Sequence, residues 1–236
     1  MVRRIALWFI RFILAWLISS CALVLVYALV RPPVTPVMLI NLIADIADGG
    51  QWHGIEKRWV DLEAISPSLV RAVIAAEDTR FFEHHGFDWE AIEQARQLNE
   101  RYRGRRLYGA STISMQTAKN VFLWHGRNYL RKALEAYFTV LLEAVWGKRR
   151  IMEVYLNVVE FAPGVYGAEA AANRYWRKPA SRITSAEAAL MAAVLPNPRR
   201  WKFWQPTPYI RKRQATILAR MNDVRLPGDW YVSPRR

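Results

Sequence analysis

Nineteen consecutive residues, Phe12 to Val30, carry no charge. At about 1.5 Å of rise per residue, a helix of that length spans roughly 30 Å, the hydrocarbon thickness of a bilayer. The pattern predicts a transmembrane helix over residues 12–30, preceded by a short N-terminal segment, 1–11. Arg3, Arg4 and Arg11 precede the run, and Arg31 alone follows it. The positive-inside bias then places the N-terminus in the cytoplasm and the rest of the chain outside it. A cleaved signal peptide competes with this reading, and Ile18-Ser19-Ser20-Cys21 resembles a lipoprotein cleavage box. The apolar run continues for nine residues past Cys21, which favours a retained anchor.

Beyond the anchor the periodicity is helical. Arg31-Pro32-Pro33 and Pro36 predict the end of the first helix and an extended linker, with 31–60 leading into the body at 61–236. Ser66-Pro67 reads as an N-cap followed by proline at the first helical position. Leu69, Val70, Val73 and Ile74 then form one buried stripe, and that helix carries Glu77 near its C-terminal end. A second stripe, Leu134, Tyr137, Phe138, Leu141, Leu142 and Val145, predicts a helix over about 127–146, with Gly147 as its stop. Residues 151–157 predict a short helix. Thr184-Ser185-Ala186-Glu187 is a capping box opening a helix to Leu195, and Pro196-Asn197-Pro198 is a turn. No alternating strand pattern of any length appears, so the expected fold class is mainly α, in a single domain.

Composition adds three constraints. With 53% hydrophobic and 13% aromatic residues in 236, the chain has enough apolar surface for a real core. Cys21 is the only cysteine, so no disulfide forms within the chain. The net charge is +14, and from Asn197 onward ten lysines and arginines face two acids. That basic tail is interleaved with Trp201, Phe203, Trp204, Trp230 and Tyr231, a combination suited to anionic headgroups. Nucleic acid is not the expected partner, because the anchor places the domain outside the cytoplasm and no nucleic-acid motif is present.

Two acids stand out. Glu77 and Asp78 are neighbours on a helix, about 100° apart, and so cannot flank one bond as a pair. The helix dipole disfavours an anion at a C-terminus, which predicts a more basic Glu77 carboxylate. Arg131 and Glu135 lie at i and i+4, which predicts a surface ion pair. His84 and His85 lack metal-ligand spacing, and His84 is expected to hold the turn at Gly86. Gly109 to Gln116 reads as a loop entering a helix, with Ser111 or Thr112 as N-cap and an N-terminus that attracts anions. Arg101, Arg103, Arg105 and Arg106, with Gly104, read as a mobile basic loop.

The ordered motifs make the resemblance specific. Glu77-Asp78-x-x-Phe81-x-x-His84-x-Gly86 resembles the first motif of the peptidoglycan glycosyltransferases. Gly109-Ala110-Ser111-Thr112-Ile113-Ser114-Met115-Gln116, with Lys119-Asn120, resembles the second. Arg131-Lys132-x-x-Glu135 resembles the third, and Lys148-x-x-Ile151-x-Glu153-x-Tyr155-Leu156-Asn157 the fourth. Gly164-Val165-Tyr166-Gly167, with Ala171-Ala172 and Tyr175-Trp176, resembles the fifth. The set covers roughly Ser66 to Pro198. Ala110, Met115, Glu93, Gln94 and Trp176 depart from the family's usual residues.

The resemblance implies a lysozyme-like domain that polymerises lipid II, a disaccharide-peptide on a polyprenyl pyrophosphate, into linear glycan with inversion. It implies catalytic roles for Glu77 and Glu135 and substrate binding by Ser111, Thr112, Gln116, Lys119, Arg127, Arg131 and Lys148. It implies structural roles for Asp78, Phe81, His84, Gly86 and Asn157. No metal ligand and no required cofactor are expected, although a divalent cation, Mg or Mn, is compatible with the chemistry. The implied partners are lipid II, the growing glycan chain, the membrane and other cell-wall synthesis and division proteins. The implied location is the bacterial inner membrane, with the catalytic domain on the periplasmic side. The sequence contains no Ser-x-x-Lys and no Lys-Thr-Gly, so a monofunctional enzyme without penicillin-sensitive transpeptidation is expected. Two other classes share parts of this pattern: a glycan-cleaving enzyme using Glu77 as general acid, and a non-enzymatic envelope scaffold.

Overall fold

The computed structural model describes residues 1–49, 53–103, 108–126 and 128–231. Arg127, assigned above to the substrate site, lies outside the described residues, as do Gly104, Arg105 and Arg106 of the basic loop. The first helix, α1 (Val2–Leu29), is continuous through the predicted N-terminal segment and is long and apolar enough to cross a membrane. It ends at Val30, ahead of Pro32-Pro33, as expected.

The segment expected to be an extended linker is largely ordered structure. Thr35 and Pro36 open α2 (Pro36–Ala47), because proline at the first helical position costs no hydrogen bond. Asn41 donates to the Tyr166 hydroxyl at 3.0 Å and to Glu160 at 3.2 Å, which fastens this helix to the body. Its outer face leaves Leu39, Ile40, Ile43 and Ile46 exposed. β1 (Glu56–Lys57) follows.

α3 (Pro67–Glu77) begins where predicted, with the Ser66 hydroxyl accepting from Ser68 N at 3.3 Å. Leu69, Val70, Val73 and Ile74 are all buried. Asp88 caps α4 (Trp89–Arg101), Thr112 caps α5 (Ile113–Phe122) and Asn128 caps α6 (Tyr129–Val145). Gly147, at φ +67°, breaks the chain direction between α6 and α7 (Gly147–Val158). β2 (Glu160–Ala162) and β3 (Val165–Tyr166) complete a three-stranded sheet in the order β1-β3-β2, parallel between β1 and β3. Strands this short carry no alternation for a sequence pattern to show. α8 (Ala168–Trp176) leads to α9 (Ser185–Val194), which opens on the predicted capping box. α10 (Pro208–Met221) closes the domain.

α9 is lined with Ala188, Ala189, Ala192 and Ala193, all buried. These small side chains let it pack closely between α3 and α10. α5 packs on α6 and α7 on the other side of the core. Asn157 ties α7 to the preceding body: its Oδ1 accepts from Val60 N at 3.0 Å, and its Nδ2 donates to Val60 O at 2.9 Å.

The C-terminal part of α1 is docked on this body. Trp146 Nε1 donates to Val24 O at 2.8 Å, and Arg150 Nη2 donates to Tyr27 O and Val30 O, each at 2.8 Å. The last carbonyls of a helix have no partner within it, so Arg150 satisfies groups at Tyr27 and Val30 that would otherwise need water.

Candidate active site

Two acids and a set of cations are carried to one region by α3, α5 and α6. Glu77 is the last residue of α3, and its Oε2 accepts a hydrogen bond from Gln116 Nε2 at 2.8 Å. The Tyr155 hydroxyl donates in turn to Gln116 Oε1 at 3.3 Å. Burial holds the Glu77 carboxyl above the usual carboxylate range, and the neighbouring Asp78 charge pushes the same way. The Gln116 hydrogen bond and the positive charges of Arg213 and Lys119 pull against it. The expected direction of the shift therefore holds, but desolvation replaces the helix end as its main cause.

Asp78 is fully engaged. Its Oδ1 lies 2.9 Å from His84 Nε2, and its Oδ2 accepts from Ile113 N at 2.9 Å. His84 Nδ1 accepts from Gly86 N at 3.1 Å, so Nε2 carries the proton that Asp78 receives. Phe81 is wholly buried beside this network. Gly86 takes φ +91°, and a side chain there would meet Thr139 Cγ2 at 2.7 Å. These four residues form the frame that joins α3 to the start of α5.

Thr112 belongs to the same frame. Its hydroxyl donates to Gly86 O at 2.6 Å and accepts from Met115 N at 3.2 Å, with the residue buried. The side chain assigned to substrate binding is thus turned inward and spent on the cap. Ser111, one residue earlier, is exposed and faces the cavity. Lys148 is also set apart from that cavity: its ammonium bonds Glu143 Oε1 at 2.7 Å and sits 4.6 Å from the Phe81 ring centroid. Glu143 Oε1 accepts from Ser114 Oγ at 2.5 Å as well.

The Arg131–Glu135 pair is buried, against the expectation of a surface pair. Arg131 Nη1 lies 2.5 Å from Glu135 Oε2, with the side chains 10% and 4% exposed. Lys132 takes the other carboxylate oxygen at 2.5 Å. The two residues continue the buried face of Phe138 and Leu142 toward the N-terminus of α6, one and two turns back. Both Glu135 oxygens are thus held by cations. Among the described residues no group of three or more His, Cys, Asp or Glu converges as a metal site.

A cavity of about 980 Å³ opens beside this pair. Lys119, Arg131, Arg199, Gln116, Asn120 and Ser111 are among its lining residues. Burial lowers the Lys119 pKa, and the Glu135 charge opposes that shift. A smaller pocket of about 200 Å³ holds Glu77 and Asp78 and shares Gly109 and Ser111 with the larger one. Gln116 lines the cationic cavity while bonding Glu77, so it bridges the two compartments. Sequence reasoning missed Arg199, His125 and Glu160 in the cavity wall, which lie outside the motifs. Tyr155 and Asn120 stood inside quoted motifs, but no role was assigned to them.

A mainly helical domain of lysozyme-like kind, with a buried carboxylate set beside a lysine and arginine cavity, defines a glycosyl-transferring enzyme. Comparison with known proteins agrees. The family profile described as transglycosylase matches residues 44–222. A biosynthetic peptidoglycan transglycosylase of Rhodospirillum centenum is 58% identical over 207 residues, covering 88% of this chain and 86% of the relative. Its counterpart by name in Bdellovibrio bacteriovorus is 50% identical over 214 residues, 91% and 84% of the two chains. That of Caulobacter vibrioides is 50% identical over 205 residues, 87% and 86%. The chain belongs to the transglycosylase family.

Proposed function

We propose that this protein is a peptidoglycan glycosyltransferase that polymerises lipid II into linear glycan strands at the outer face of the cytoplasmic membrane. The observation that carries the reading is Gln116, whose side chain reaches from the cationic cavity to the Glu77 carboxylate. A base and a site for a negatively charged leaving group thus stand side by side.

Glu77 takes the proton of the acceptor sugar's 4-hydroxyl as general base, and burial makes it a stronger base than an exposed carboxylate. The acceptor oxygen attacks the donor's anomeric carbon from the face opposite the pyrophosphate, so configuration inverts. The bond to the pyrophosphate oxygen breaks, and the electron pair leaves with the polyprenyl pyrophosphate. Lys119 and Arg131, with Arg127, stabilise that developing charge in place of water. Glu135 holds Arg131 at the cavity wall, with Lys132 on its other oxygen, and the cations serve in place of a metal ion. Ser111 and Gln116 position the donor. The donor occupies the large cavity and the acceptor approaches through the smaller pocket.

The anchor supports the same reading. α1 spans the membrane with the charged N-terminus inside, and the apolar outer face of α2 rests against the bilayer surface. Enzyme and lipid-linked substrate then share one surface, which raises their effective concentration. The relatives' names, which specify peptidoglycan, support the substrate class.

The test is incubation of the full-length chain with labelled lipid II in detergent micelles. Linear polymer and released polyprenyl pyrophosphate are expected. Cleavage of preformed glycan with lipid II left intact would replace this reading with a lytic one.

A further inference from the structure

Tyr155 stands on α7 with its side chain wholly buried. A buried phenol needs a partner for its hydroxyl, and the partner here is the amide oxygen of Gln116 at 3.3 Å. The nitrogen of that same amide donates to Glu77 Oε2 at 2.8 Å. The two ends of a carboxamide have nearly equal size and opposite hydrogen-bonding character. With the hydroxyl donating to Oε1, only Nε2 is left to face Glu77. A flipped amide would place oxygen against carboxylate oxygen and leave the phenol facing an NH₂ group.

We propose that Tyr155 is a positioning residue for the general base: its hydroxyl fixes the orientation of the Gln116 amide, which in turn orders the Glu77 carboxylate. One carboxylate oxygen is thereby engaged, and the other is left for the acceptor hydroxyl. The backbone beneath Tyr155 is itself fixed, because Asn157, two residues on, bonds Val60 in both directions. The inference rests on the reading of Glu77 as base.

The other groups acting on Glu77 are Asp78 beside it, Lys119 on α5 and Arg213 on α10. Tyr155 contributes no charge near neutral pH, since burial keeps its hydroxyl protonated well above the ordinary phenol range. Replacing it with phenylalanine therefore removes one hydrogen bond and no charge. Any change in the ionisation of Glu77 must then pass through the amide. An amide free to flip stabilises the carboxylate less, which raises the Glu77 pKa.

The experiment is a pH–rate profile of lipid II polymerisation by the full-length chain and by Tyr155→Phe, Gln116→Met, the double variant and Glu77→Gln. For Tyr155→Phe, kcat is expected to fall about tenfold, as loss of one buried hydrogen bond allows, with KM for lipid II little changed. The acidic limb is expected to move to higher pH. In the Gln116→Met background, Tyr155→Phe is expected to add nothing. An unchanged kcat and acidic limb in Tyr155→Phe, or the same loss with Gln116 already removed, would overturn the proposal. Substantial turnover by folded Glu77→Gln would overturn the base reading itself, whatever Tyr155→Phe does.

Discussion

Arg131 and Glu135 meet at 2.5 Å on the buried side of α6, one helical turn apart. Lys132 closes on the other Glu135 oxygen, so this carboxylate has no oxygen free of a cation. In the proposed mechanism the second acid works through the cations it holds, and Glu77, with one oxygen on Gln116, works on the substrate.

Removing one member of a buried pair leaves the other charged and unsatisfied, at a cost of about 3–5 kcal/mol. Arg131 is especially exposed to this loss, because its Nε already lacks a hydrogen-bond partner. Glu135→Ala is expected to lower unfolding free energy by about 3 kcal/mol and to weaken donor binding. Urea denaturation of the detergent-solubilised protein measures the first effect. A stability equal to wild type would mean that the pair contributes nothing to the fold.

Lys119 presents the reverse balance. Burial disfavours its ammonium, so the charge is kept at some cost to the folded state. Lys119→Met should melt no lower than wild type. Loss of a charge-assisted contact to the pyrophosphate should raise KM for lipid II roughly tenfold to a hundredfold. A phosphoglycolipid that mimics the donor should bind more weakly by a similar factor. Slow turnover with unchanged inhibitor affinity would remove Lys119 from the pyrophosphate site.

Gly86 holds the turn through which Thr112 and His84 connect α3 to α5. Its φ of +91° disfavours any L side chain, and the added Cβ would lie 2.7 Å from Thr139 Cγ2. Gly86→Ala is expected to destabilise the protein by about 2 kcal/mol. A thermal melt unchanged from wild type would show that the turn relaxes freely.

Much of this arrangement was legible in the sequence, because local chemistry decides it. Ser66-Pro67 and the Thr184–Glu187 capping box mark helix starts by the hydrogen bonds their side chains make to backbone amides. The α2 start had a weaker signal, Pro36 at the first helical position with no side-chain cap from Thr35, and two prolines just before it suggested extended chain. The burial of Arg131 and Glu135 was not visible from their i,i+4 spacing alone, which is equal on both faces of a helix. Extending the Phe138–Leu142 stripe backward by whole turns would have placed both residues on the core side. Contacts such as Tyr155 with Gln116 and Arg199 with the cavity join residues far apart in the chain. Such contacts depend on packing that no local pattern records.

The most direct measurement compares wild type and Glu77→Gln for lipid II polymerisation across pH, with thermal melts of both. A base with a raised pKa must lose its proton to act. Wild-type kcat is therefore expected to rise through a midpoint above the ordinary carboxylate range. The raised pKa also means that the folded state binds the proton more tightly than the unfolded chain does. The stability Glu77 contributes is thus full below its unfolded pKa and is lost as pH rises through the folded value. Glu77→Gln carries no charge to desolvate, so at neutral pH it should melt at or above wild type while kcat falls about 10²–10⁴-fold. A well-folded Glu77→Gln that polymerises lipid II at near the wild-type rate would contradict the account.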